Sequence, residues 1–297
     1  MEKIYNTKEE VVERAQLVLN KGLRQIVPSE SLKEVEQNIF KYKNRKKGLL
    51  GDLVELYVFG KKPDGLSQAD FKIAGVELKT TPLKKHAVHK FASKERLVFS
   101  MINYDEIVKE SWENSSFLKK NQVLLLMFYL WVKDKDILDY EFKFIHLLNL
   151  LEDISEEDIF QIRKDWEFIV AKIRKGEAHL LSEGDTYYLG ACTKAANSRV
   201  VREQPGSRVP AKPRAFSLKQ QYINYLVKTR LLGQKVSAES IFKKSRKVET
   251  IEDAIKNKFL KFIGKTDTQI LNTLGAVLNT SSKNYKRLIV NRIVGVE

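Results

Sequence analysis

Asp70-Phe71-Lys72-Ile73-Ala74-Gly75-Val76-Glu77-Leu78-Lys79-Thr80-Thr81-Pro82 joins a strand signal to a set of charges. The alternation predicts a strand over Gly75–Thr80, with Val76 and Leu78 on one face and Glu77 and Lys79 on the other. Pro82, which lacks an N–H, is expected to end it. Asp70 lies just before the strand, where a bend can carry it beside Glu77. Two carboxylates suit a hard divalent cation, which takes oxygen ligands. A lysine two residues after the second carboxylate shares its strand face. There its ammonium can position a water and offset negative charge at a phosphate under attack.

Spacing alone does not single this triad out, because Asp134, Glu141 and Lys143 repeat it. In a chain that is 31% charged such repeats arise by coincidence. Context separates the two. Gly48-Leu49-Leu50-Gly51-Asp52-Leu53-Val54-Glu55 precedes the first triad and sets a further carboxylate, Glu55, on an expected helix. Lys61, Lys62, Lys84, Lys85 and Lys90 read as phosphate-seeking charge around it. The second triad sits among Asp134, Asp136, Asp139 and Glu141, where nucleic acid would be repelled, and reads as a solvated strand face.

Working outward, Thr7-Lys8-Glu9-Glu10 is a capping box that predicts a helix from Lys8 to about Asn20. Further helices are expected at Leu32–Tyr42, at Gly48–Phe59 (Leu49, Leu53, Leu56 and Val58 mostly inward) and at Glu156–Lys175. A basic amphipathic helix is expected at Ser217–Leu232. Strands are expected at Arg96–Ile102, Val123–Val132, Tyr140–Leu148 and, briefly, Thr186–Leu189. Lys61–Ser67 has turn chemistry, and Ser198–Pro213 reads as a Gly/Pro/Arg loop. This is the α/β class: an α+β mixed sheet flanked by helices. Composition shifts after Gly233. Lys243-Lys244-Ser245-Arg246-Lys247 resembles a linker or a phosphate-facing turn, and helices are expected at Thr250–Ile263 and Thr268–Leu278. The stretch from Lys283 to Glu297 is helix-like without a capping signal and reads as cut short.

The 297 residues carry a net charge of +15. Residues 201–297 hold 20 Lys/Arg against 7 Asp/Glu, which leaves only +2 for the first 200. Such asymmetry points to a negative partner: nucleic acid first, an anionic membrane surface second, with a merely solvated basic face as the plain alternative. The single cysteine, Cys192, excludes intramolecular disulfides and cysteine-cluster metal sites. His86, His89, His146 and His179 show no zinc-binding spacing. His86 and His89 read as loop residues or DNA contacts, and His146 as a core residue. Val123–Val132 is about half a membrane span in length and reads as a buried strand. With no apolar signal core at the N-terminus, the expected location is cytoplasmic.

Lys47-Gly48, Gly51, Glu55, Asp70-Phe71 and Gly75-Val76-Glu77-Leu78-Lys79-Thr80-Thr81-Pro82 together resemble the MutH family. That family joins a mismatch-repair nickase to Sau-type restriction endonucleases. Further matches are Ser93-Lys94-Glu95-Arg96-Leu97, Ile102-Asn103-Tyr104, Trp112-Glu113, Ser115 to Lys120, and Leu181-Ser182-Glu183-Gly184. Cys192 to Asn197 and Arg214-Ala215-Phe216-Ser217-Leu218-Lys219 complete them. The resemblance covers roughly residues 5–232 and is nearer the Sau-type enzymes. It implies a restriction-endonuclease-like core that uses Mg²⁺ to cut double-stranded DNA 5′ of G at GATC. Carried over by position, Asp70 and Glu77 are metal ligands, Lys79 the catalytic lysine, Glu55 a supporting carboxylate and Lys120 a further active-site lysine, with Lys119 as its rival. Lys47, Lys194, Asn197, Arg214 and Lys219 become DNA contacts. Arg208 falls where the family reads bases, and arginine suits guanine O6 and N7; a plain phosphate contact is the alternative.

Residues 1–232 thus form the expected catalytic domain. Residues 233–297 resemble the linker and opening helices of a second, non-catalytic MutH-like domain that helps bind a second DNA site. Ala69 stands where such motifs commonly have Pro. Ser217 stands where MutH has a methylation-sensing Tyr, so cleavage is expected to tolerate methyl-adenine. Two other functions remain: a GATC-binding protein that does not cut, and a MutH-like strand nickase.

Overall fold

A computed structural model of the chain describes residues 3–42, 48–64, 68–236 and 258–294. The chain forms two compact units, Met1–Ile241 and Phe242–Glu297. Lys47, the basic run Lys243–Lys247 and most of the helix expected at Thr250–Ile263 lie outside the described residues.

The first unit opens with helices α1 (Lys8–Gln16), α2 (Ser29–Tyr42) and α3 (Leu49–Tyr57). The Thr7 side chain caps α1 by accepting from the Glu10 N–H at 3.2 Å. The reciprocal bond of the expected box is displaced by one residue, because Glu10 accepts from the Asn6 N–H at 2.7 Å. A four-stranded sheet follows in the order β2 (Lys90–Ser93), β1 (Glu77–His86), β4 (Val123–Leu130), β5 (Phe142–Asn149). β1 and β4 are parallel, with Glu77 opposite Leu124 and Leu83 opposite Leu130; the other pairings are antiparallel. β4 is apolar throughout because its central place buries both faces. Val54 of α3, Val76, Leu78 and Val123, Leu125 and Met127 of β4 share one core. In α3 the inward set is Leu50, Leu53 and Val54 with Val58 just beyond it, while Leu56 is exposed, against the expected inward Leu56.

Pro82 does not end β1. The Leu83 carbonyl accepts from the Trp131 N–H (2.9 Å), so Pro82 faces the opposite edge of the strand. There its carbonyl accepts from the Lys94 N–H (2.9 Å), and the Lys94 carbonyl, which proline cannot serve, accepts instead from the Gln220 side-chain amide (2.9 Å).

A second sheet, in the order β3 (Leu97–Met101), β9 (Arg214–Leu218), β6 (Leu189–Thr193), is antiparallel. α4 (Tyr104–Ile107), α5 (Ser116–Asn121) and α6 (Glu156–Arg174) complete the scaffold. Trp112 and Trp166, well separated in sequence, meet at 5.9 Å beside Phe117 in its core. The strand expected at Thr186–Leu189 begins only at Leu189, because Asp165 of buried α6 captures the backbone leading into it. Its carboxylate accepts from the N–H groups of Tyr187 (3.0 Å), Tyr188 (2.6 Å) and Leu189 (2.8 Å). The expected loop at Ser198–Pro213 contains a hairpin, β7 (Arg202–Gln204) and β8 (Ser207–Ala211). Ser217 lies in β9, so the expected basic helix starts later, as α7 (Gln220–Leu226), and widens into a single π-helical turn at Val227–Leu231.

In the second unit, helices Asp267–Leu274 and Tyr285–Val294 pack through Ile270, Leu271, Ile289 and Ile293. Among the described residues no helix is long and apolar enough to cross a membrane.

Replacing Asp165 with Ala strands three backbone donors. The expected cost is about 2–4 kcal/mol in urea unfolding, with Asp165→Asn, which keeps one acceptor, losing less.

Candidate active site

A tight reversal builds the site. The Phe71 N–H donates to the Val76 carbonyl (2.9 Å), and the N–H groups of Gly75 (2.8 Å) and Val76 (3.2 Å) return to the Phe71 carbonyl. Gly75 has φ +67°, a conformation that a side chain would strain. The reversal lays Asp70 against the start of β1. Asp70 Oδ2 accepts from the Leu78 N–H at 2.9 Å, and Glu77 Oε2 accepts from the Asp70 N–H at 3.2 Å. The six-residue gap between the carboxylates is therefore the length of this turn.

Lys79 shares the Glu77 face, and its Nζ lies 2.5 Å from Glu77 Oε1. Lys120 arrives from the last turn of α5, 3.7 Å from the same oxygen. Ser115 starts that helix by accepting from the Leu118 N–H at 3.2 Å. Lys119 points into solvent, so of the two lysines Lys120 is the one at the carboxylate. Glu55 projects from α3 close enough to Asp70 to feel its charge. Asp70, Glu77, Lys79 and Lys120 thus meet, with Glu55 alongside.

Glu77 is 2% exposed. Burial pushes its carboxyl above the ordinary range; the Lys79 ammonium opposes this, and the Asp70 charge adds to it. Glu55 is raised by burial and then by Asp70, against its ion pair with Lys61. Such concentrations of buried, mutually perturbed charge mark functional sites more often than structural ones.

Among the described residues no three His, Cys, Asp or Glu side chains are gathered as a ready metal cage. The donor set is nonetheless all carboxylate, with mutual repulsion that a hard cation would relieve. It fits Mg²⁺, which binds through one or two carboxylates and keeps its remaining positions for water and phosphate.

The second triad forms no such site. Glu141 pairs with Lys143 (2.5 Å) and Lys135 (3.5 Å) with its side chain 40% exposed, and Asp134 lies in a turn. These contacts hold the Glu141 carboxyl below its usual range.

The other expected site residues divide. Lys194 and Asn197 are exposed after β6, where the Asn197 side chain accepts from the Arg199 N–H (2.9 Å). Arg208 is exposed on β8. Gln204 anchors that hairpin, accepting from the Ala178 N–H (2.7 Å) and donating to the Val209 carbonyl (2.6 Å). Gly176 lets the hairpin approach, since a Cβ there would lie 2.7 Å from the Gly206 carbonyl oxygen.

Arg214 and Lys219, expected as DNA contacts, turn inward instead. The buried Arg214 guanidinium donates to the carbonyls of Ala191 (2.8 Å) and Leu181. Lys219 donates to those of Glu183 (2.6 Å) and Thr186. Both tie β9 to neighbouring backbone. Ser217 is fully buried in β9, which puts it out of reach of a bound base in this conformation.

Two further expectations change. Lys84, Lys85 and Lys90 are at the far end of β1 or past it; Lys84, the nearest, is about 23 Å from Glu77 at 3.3 Å per residue. His86 and His89 stack at the hairpin there (5.0 Å), and His146 is half-buried with Nε2 unpartnered. Sequence spacing offered Lys61 only as phosphate-seeking charge, yet it is buried, 3.1 Å from Glu55 Oε2. Its position just past the end of α3, six residues from Glu55, is the one signal that could have paired them.

Residues 59–165 match the family model described as "DNA mismatch repair enzyme MutH". The chain is 39% identical over 284 residues to the type II restriction enzyme Sau3AI of Staphylococcus aureus, covering 95% of this chain and 55% of that protein. It is 30% identical over 199 residues to the DNA mismatch repair protein MutH of Salmonella paratyphi C, covering 64% of this chain and 80% of that one. The Shewanella sp. (strain W3-18-1) MutH is 27% identical over 220 residues, covering 72% of this chain and 91% of its own length. The chain therefore spans about half the length of the staphylococcal relative.

Because Lys79 is the strongest influence lowering the Glu77 carboxyl, Lys79→Met should move its titration to higher pH. Lys120→Met should do so less and Lys143→Met not at all. Carboxyl carbon NMR of Glu77 reads all three.

Proposed function

Since this chain belongs to the MutH family, we propose that it is a Mg²⁺-dependent endonuclease that cuts double-stranded DNA 5′ of G at GATC, as a restriction enzyme. The observation that carries this is the convergence of Asp70, Glu77, Lys79 and Lys120 on one turn, with Glu55 beside them. Asp70 and Glu77 would hold the cation. Bound there, Mg²⁺ would supply Lewis-acid charge to a phosphate oxygen and a more acidic water.

The chain's own groups do the rest. Lys79 and Lys120 place two ammonium groups on the phosphate side of Glu77, where they offset the charge gathering on a pentavalent phosphorus. Lys79, the nearer, also orients the attacking water. Glu55 adds a third negative charge that strengthens the demand for a cation. In this reading cleavage belongs to residues 1–232. Residues 233–297 begin a second MutH-like unit that engages another DNA site.

The exposed cations Lys194 and Arg208, with Asn197, support a DNA-facing surface of mixed function. Phosphate contacts there fix register, and Arg208 reads guanine in the major groove.

Cleavage of a plasmid with several GATC sites tests the chemistry. Asp70→Ala should lower the Mg²⁺-dependent rate by at least about 100-fold, leaving Asp134→Ala near wild type. Equal losses, or none, would remove Asp70 from the site. Activity needs ionised carboxylates, and burial pushes Glu55 and Glu77 above the ordinary range in the metal-free site, so at subsaturating Mg²⁺ protons compete with the cation there. The rate should therefore fall on acidification before an unperturbed carboxylate would protonate.

Arg208→Ala should reduce discrimination between GATC and sites altered at G by about 1–3 kcal/mol. Weakening that is uniform across sequences would make Arg208 a phosphate contact.

A further inference from the structure

Lys61 is 6% exposed, an unusual place for an ammonium group. Its three hydrogens meet three acceptors: Glu55 Oε2 at 3.1 Å, Asp64 Oδ2 at 3.3 Å and the Lys62 carbonyl at 3.5 Å. Its backbone N–H donates to the Glu55 carbonyl at 2.9 Å. Lys61 is thus joined to Glu55 twice, through the main chain at the end of α3 and through the side chain. The Asp70 charge acts on both partners. An ion so enclosed cannot reach a DNA phosphate. Taking it out of water is costly, and only close, well-bonded counter-charges offset that cost.

We propose that Lys61 is a positioning residue: it clamps Glu55 beside Asp70 and Glu77, offsets part of the carboxylate charge before a divalent cation arrives, and thereby limits how tightly they take up Mg²⁺. This rests on the reading of Asp70 and Glu77 as cation ligands. Lys79 and Lys120 are committed to Glu77. Lys61 is the counter-charge on the Glu55 side. Without it, the buried Glu55 is left against the Asp70 charge, and an added cation relieves more repulsion than it does in the wild type.

The test is thermal unfolding of the full chain in chelator and across a Mg²⁺ titration, a readout independent of cleavage. Wild type is compared with Lys61→Met, Glu55→Gln and the double variant. Lys61→Met should melt lower in chelator, show a larger Mg²⁺-induced rise in Tm, and bind Mg²⁺ about tenfold more tightly. In the Glu55→Gln background, adding Lys61→Met should change the Mg²⁺ response less than it does in the wild type, because only the weaker action of Lys61 on Asp70 remains.

If Lys61→Met lowers Tm equally with and without Mg²⁺, Lys61 serves packing alone and the proposal fails. If the wild type itself shows no Mg²⁺ shift, it is the underlying assignment of cation ligands that fails. The double variant removes both buried charges together. Should Lys61→Met alone not fold, Lys61→Gln, which drops the charge but keeps a donor for Glu55, is compared with the wild type: a larger Mg²⁺ shift supports the clamp, and an equal one overturns it.

Discussion

Two crossed hydrogen bonds hold the centre of this protein: Leu78 N–H to Asp70 and Asp70 N–H to Glu77. They solve a problem of the sheet as well as one of the site. At Leu78 the β1 backbone faces the edge that β2 covers only from Leu83 onward. A bare N–H there would be an unpaired strand edge. The Asp70 carboxylate satisfies it, and in doing so is fixed beside Glu77. Gly75 makes the return cheap because its left-handed φ carries no Cβ strain in glycine.

Around this lock the molecule concentrates charge where water is scarce. Glu77 sits between two ammonium groups, and Glu55 and Lys61 form a second pair a short distance away. Each ion would be costly alone, and removing one partner of such a pair is more damaging than never having built it. The repeated triad at Asp134, Glu141 and Lys143 is the natural control. It has the same spacing and even a similar lysine–glutamate contact, but in solvent, where a pair is worth little. Burial separates a poised site from a surface decoration.

The second sheet and its hairpin provide a different kind of surface. Lys194, Asn197 and Arg208 are carried outward on segments whose backbones are pinned by Gln204, Arg214 and Lys219. Cations adjacent in sequence therefore serve opposite ends: some face outward, others hold the platform that presents them. Composition cannot distinguish these uses, because an arginine buried against carbonyls and one exposed to a phosphate contribute equally to net charge.

Much was legible in the residues themselves. The helix start at Thr7 follows from local capping, the helix from Glu156 from its helical period, the buried strand Val123–Leu130 from its apolar run, and the pairing of Glu77 with Lys79 from the period of two along a strand. These are short-range effects, set within a turn or a strand. Spacing and context place Asp70 and Glu55 beside that pair, and family resemblance assigns their roles and adds Lys120. What tertiary structure alone decided were the long-range partners. It carried β1 through Pro82 because the Gln220 amide serves the Lys94 carbonyl that proline cannot. It turned Arg214, Ser217 and Lys219 inward, sent Lys84, Lys85 and Lys90 to the far end of the strand, and drew Lys61 into the carboxylates. Each outcome depends on which backbone group or charge lies across a gap in space. Charge and hydropathy along a chain do not encode that distance until packing has closed it.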